Sequence, residues 1–117
     1  MLAPETNLER HETGCRISGI TDGKFLTASH IKPWAKSTDF EKLDGNNGLL
    51  LSPHIDRLFD RGYISFEDSG QLMFSPLLPS DVIGAWALSK PALEKPLSRK
   101  QSAYMSFHLS EIYRNRQ

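Results

Sequence analysis

The sequence predicts an α+β fold in a single domain, and three observations carry that prediction. Residues 48–51, Gly-Leu-Leu-Leu, are a short apolar run followed at once by a segment with helix-start chemistry. Residues 63–66 and 71–74 carry strand patterning on either side of Asp68-Ser69-Gly70, as the arms of a hairpin do. The segment from Ser98 onward opens with a capping-box pattern and continues with apolar residues at helical spacing.

The elements follow in order. Residues 1–14 are polar and without a clear period, and read as an arm or a short helix. Thr21-Asp22-Gly23 supplies turn chemistry before a strand that begins at Phe25-Leu26-Thr27. Pro33 and the charged, Gly- and Asn-rich stretch from Lys36 to Asn47 read as a loop with one helical turn near Phe40. After the apolar strand 48–51, Ser52 suits an N-cap, Pro53 the first helical position and Gly62 the C′ position. In that helix Ile55, Leu58 and Phe59 form an apolar face, while Asp56 and Asp60 share a neighbouring stripe. A short helix is expected over 80–88, and Pro91 and Pro96 bracket a connector. In the last helix Tyr104, Met105, Leu109, Ile112 and Tyr113 are expected to face inward.

At 117 residues the chain can build one well-buried core but not two. Its apolar runs are far too short for a membrane-spanning helix, and its N-terminus lacks the order of a secretion signal. The single cysteine, Cys15, excludes an internal disulfide and fits a reducing cytoplasm. Fourteen basic residues balance fourteen acidic ones, which argues mildly against a nucleic-acid partner. The distribution softens this: basic residues gather in the last third and acidic ones between Asp39 and Asp68, where a bound cation would offset them.

Chemistry-bearing residues concentrate between Ala28 and Gly62. His30 follows the first strand, and histidine is the commonest general base near neutral pH, although a lone histidine at a strand end is more often structural. Asn47 precedes Gly48, and such pairs are usually turns; Asn46 competes with it for any supporting role. Asp56 and Asp60, four apart, repel unless something cationic lies between them. Arg57 and Arg61 could neutralise them as surface pairs; otherwise hard oxygen ligands favour Mg2+ or Mn2+. His54 is a further candidate ligand for metal or substrate, though exposure alone would account for it. Lys32, Trp34, Lys36, Arg57 and Arg61 could contact phosphates or bases, with Trp34 more readily read as packing. Cys15-Arg-Ile-Ser18 resembles half of a zinc knuckle with its second cysteine missing, so no structural zinc is expected and Cys15 reads as a buried residue. His108 reads as a packing or surface residue.

In sequence order, C-x-x-S-G, S-H-I-x-P-W, N-G-L-L-L, D-x-L-F-D-x-G and the hairpin resemble the HNH (ββα-metal) endonucleases, in particular their restriction-endonuclease-like subfamily. The resemblance covers about residues 15–75. It implies an arm over 1–14, a ββα-metal nuclease core with an added hairpin over 15–75, and a helical extension over 76–117 packing on that core. It also implies a divalent-metal-dependent hydrolysis of DNA phosphodiesters. His30 would be the base and Asn47 the loop fastener. Asp56 stands where the family usually has its last histidine, and would hold the metal with Asp60. Lys32, Arg57 and Arg61 would contact nucleic acid. Double-strand cutting would call for a homodimer, and a separate recognition domain or subunit would supply specificity. Ser29 replaces the metal-binding residue that many relatives carry before the base, which leaves a second reading. In that reading the chain is a catalytically inactive module that binds nucleic acid or protein.

Overall fold

The structure, a computed structural model, describes residues 12–115. Most of the expected N-terminal arm lies outside them; within them, Glu12 is already buried. The chain mixes helix and strand, as the α+β expectation has it. Two antiparallel strands come first, β1 (Thr27–His30) and β2 (Gly48–Leu51), in the register Thr27↔Leu51 through His30↔Gly48. Leu49 and Leu51 are fully buried and Leu50 only partly, the alternation a pleated strand imposes. β1 begins two residues later than expected. Phe25 belongs to a 3-10 turn, Gly23–Phe25, started by the Asp22 carboxylate accepting the Lys24 amide, and its ring is exposed.

The loop between the strands is ordered by its own chemistry. A 3-10 turn covers Trp34–Lys36, and α1 (Asp39–Leu43) starts with a complete capping box between Thr38 and Glu41. After β2 comes α2 (Pro53–Asp60), which packs on β1 and buries Ile55, Leu58 and Phe59. Each such side chain contributes about 1.5–3 kcal/mol by leaving water. Ser52 occupies the N-cap position but makes no side-chain cap bond; its hydroxyl instead lies 2.7 Å from that of Ser18. Gly62 (φ +82°) ends α2 in a Schellman arrangement, with Gly62 N–H donating to Phe59 and Tyr63 N–H to Leu58.

A hairpin of β3 (Ile64–Phe66) and β4 (Leu72–Phe74) follows, then α3 (Ser80–Ala85) and α4 (Arg99–Phe107). The last helix continues as a π-helical turn, His108–Ile112. Its inward side differs from the apolar stripe expected: Met105 is buried, but so are Gln101 and His108, while Tyr104, Leu109, Ile112 and Tyr113 are half-buried. Gln101 reaches a buried ion pair in which Arg16 donates to both carboxylate oxygens of Glu12, at 2.8 and 2.9 Å. One apolar core runs from Cys15 through both strands, α2 and β3 to Met105, so the C-terminal third shares it. No helix among the described residues is long and apolar enough to cross a membrane.

Candidate active site

His30 is the last residue of β1, half-buried, opposite Gly48. Its Nε2 lies 2.9 Å from the carbonyl oxygen of Lys42, the penultimate residue of α1. A carbonyl only accepts, so Nε2 carries the proton and the lone pair of the neutral ring is at Nδ1. Nδ1 makes no hydrogen bond to a described residue. The ring also meets Trp34 edge-on, with centroids 5.5 Å apart. A histidine with one nitrogen tied to a fixed acceptor and the other open can take a proton from a water molecule.

Asn47 is 1% exposed and knits the loop together. Its side-chain oxygen accepts the Lys32 amide at 2.8 Å, and its Nδ2 donates to the Glu41 carbonyl at 3.1 Å and the Ser37 hydroxyl at 3.3 Å. Its backbone carbonyl accepts the Ile31 amide. These bonds grip the chain on both sides of His30: the segment leaving β1 and the helix whose Lys42 carbonyl orients the ring. Asn46 does something else. Its amide and side chain both donate to Asp44 within the turn. Burial alone would raise the Asp44 pKa, but these donors and the Tyr104 hydroxyl, 2.7 Å away, hold it below the ordinary carboxylate value.

Asp56 is half-buried and Asp60 exposed, on the helix that packs against the strand carrying His30. Neither carboxylate forms a hydrogen bond or ion pair with a described residue, so Arg57 and Arg61, both exposed, do not neutralise them. Among the described residues no three His, Cys, Asp or Glu side chains converge closely enough to hold a metal by themselves. Two unpaired carboxylates do fit Mg2+, which is commonly held by one or two carboxylates with waters and substrate phosphates completing its shell.

The remaining candidates are scattered. Lys32 is engaged: its ammonium pairs with Glu41 at 2.9 Å and lies 5.1 Å from the Phe107 ring. His54 meets Trp86 edge-on at 5.2 Å rather than joining the aspartates. Arg57 and Arg61 rim a hollow of about 330 Å3 floored by Leu58, Leu77, Val82 and Trp86. Cys15 is 2% exposed. Burial raises its thiol pKa, yet the Ser18 hydroxyl and amide and the backbone at Ser52 and Ile17 outweigh that and lower it. His108 is a buried structural residue, its Nε2 2.8 Å from the Phe59 carbonyl, its Nδ1 2.9 Å from the Ser65 hydroxyl, and its ring stacked on Phe59. Two residues not anticipated also matter, Lys42 and Glu41. The Thr38-x-x-Glu41 capping signature was the available signal, since it places a helix where Lys42 can reach back to His30.

Comparison with curated proteins gave no match. Residues 15–67 match the family described as HNH endonuclease, a span that begins at the Cys15 turn and ends just past β3. It contains β1, the Asn47-gripped loop, β2 and α2, and so His30, Asn47, Asp56 and Asp60 together. By that match residues 15–67 of this chain are similar to the HNH endonuclease family.

Proposed function

We propose that the chain is a metal-dependent DNA endonuclease of restriction or defence type, with His30 as general base and Asn47 as the support that keeps it in place. The observation that carries this reading is the His30 ring, fixed through Nε2 by the Lys42 carbonyl with Nδ1 open. His30 Nδ1 takes the proton of a water poised in line with the scissile P–O bond. The water oxygen bonds to phosphorus as the bond to the 3′ oxygen breaks, which yields 5′-phosphate and 3′-hydroxyl ends. Asp56 and Asp60 would hold one Mg2+ or Mn2+ ion, whose chemistry is to offset charge on the phosphate and the leaving oxygen. Asn47 keeps Ile31, Lys32 and α1 in register, so that the imidazole is oriented before substrate arrives. Arg57 and Arg61, exposed on α2 and without a side-chain partner among the described residues, would meet backbone phosphates beside the cation.

The thin, oxygen-only donor set favours one alternative, an inactive module that binds nucleic acid or protein. Incubating supercoiled plasmid with Mg2+ or Mn2+, for the parent and for Asp56→Asn, separates the two. The nuclease reading expects metal-dependent nicking by the parent and its loss in the variant. Absence of cleavage by the parent with any divalent ion would leave the binding module.

A further inference from the structure

Trp34 is 48% exposed, although tryptophan is one of the largest apolar side chains the chain has to bury. It is not left loose. The indole meets the His30 ring at 77°, and the Lys42 ammonium sits 4.6 Å from its centroid, a cation–π distance. Lys42 is also the residue whose carbonyl orients His30. Indole, imidazole and lysine therefore form one assembly beside the candidate base. With the Lys42 ammonium over the ring and the side chain 48% exposed, much of the indole remains open to a flat partner. Lys36, two residues on, is exposed and makes no side-chain bond to a described residue. An exposed aromatic with one cation over its ring and another two residues along the chain is the recurring equipment for a nucleic-acid strand: the ring takes a base and the ammonium groups take phosphates.

Resting on the reading of His30 as the base, we propose that Trp34 is a stacking platform for a nucleobase of the DNA strand being cut. It would lie next to the phosphate attacked by the water that His30 activates, with Lys36 and Lys42 on the flanking phosphates. Stacking uses the π face that every base possesses, so this contact fixes position without choosing sequence. Trp34 would then set where along the strand the scissile phosphate comes to rest.

The chain has two tryptophans, so Trp86→Phe leaves Trp34 as the only indole fluorophore. In EDTA, to prevent cleavage, that protein is titrated with a short DNA duplex and with the corresponding single strand. Binding is read both from Trp34 emission and from the anisotropy of labelled DNA. DNA is expected to quench Trp34. Trp34→Leu, which keeps apolar bulk but has no π face, should weaken binding about tenfold, while Trp34→Phe stays within about threefold. Binding that leaves Trp34 emission unchanged, with Trp34→Leu as tight as the parent, would overturn the platform alone. No DNA binding by the parent, either in EDTA or with Ca2+ in its place, would overturn the platform together with the nuclease reading on which it rests.

Discussion

The Nε2 atom of His30 lies 2.9 Å from the carbonyl oxygen of Lys42, twelve residues further along the chain. The acceptor is backbone, so the ring's orientation depends on whether α1 holds its shape. α1 has only five residues and rests on the Thr38–Glu41 capping box. Thr38→Ala removes the cap, worth about 1 kcal/mol, from a helix too short to survive on propensity. The expected result is a fall in kcat of about tenfold, because the base is displaced, with some rise in KM, because Lys42 and its proposed phosphate contact sit on the same helix. Steady-state cleavage kinetics check this; an unchanged kcat would show that α1 does not position His30.

Asn47 and Asn46 should respond very differently. Asn47 is buried, and its side chain satisfies Lys32, Ser37 and Glu41. Truncation to alanine strands those groups and should cost about 2–3 kcal/mol. Asn46 bonds only within its turn, to Asp44, so Asn46→Ala should cost under about 1 kcal/mol. Urea unfolding of the two variants reads the difference, and equal losses would count against Asn47 as the loop's fastener.

His108 makes stability depend on pH. Burial lowers its pKa from the ordinary 6.5 to about 4, against the opposing pull of the Phe59 carbonyl and Asp60. The folded form is therefore neutral where the unfolded chain already binds a proton. Stability present above pH ~6.5 is lost as the pH falls towards ~4, by about 3 kcal/mol in full. Melting curves across that range should show the decline in the parent and a shallower one in His108→Gln. Parallel curves would mean that another group sets the slope.

Gly62 serves two needs at once. Its φ of +82° is the left-handed conformation that other residues adopt at a cost of about 1–2 kcal/mol. A Cβ there would also collide with the Ile112 carbonyl, in the segment where Arg114 N–H donates to the Gly62 carbonyl at 2.8 Å. Gly62→Ala should therefore destabilise by more than about 2 kcal/mol and loosen the C-terminal turn from the end of α2. Thermal melting with hydrogen exchange at 108–114 tests both parts; a loss confined to the strain alone would mean that the C-terminal segment simply moves aside.

Local patterning made β2, α2 and the hairpin legible. Leu49 and Leu51 alternate inward, Ile55, Leu58 and Phe59 recur at helical spacing, and Gly62 closes the helix. Errors arose where a distant partner decides. Ser52 has the type and place of an N-cap, but Ser18, thirty-four residues earlier, takes its hydroxyl. Local pattern leaves His108 open between packing and surface and gives Gln101 only a capping role; Glu12, Ser65 and the Phe59 carbonyl receive both inside. At the site, His30, Asn47 and the aspartates could be picked out by residue type. The group that orients His30 could not, because a backbone carbonyl has no signature in sequence. Nor does residue type reveal that Lys32, read as a phosphate contact, is paired with Glu41.

The most direct test is single-turnover cleavage of plasmid DNA with Mg2+ or Mn2+ by the parent and by His30→Ala, with the product ends identified. Loss of a general base predicts a rate lower by about 10²–10⁴-fold in the variant, from a parent that leaves 5′-phosphate ends. Equal rates for the two proteins would contradict the assignment of His30 as the base.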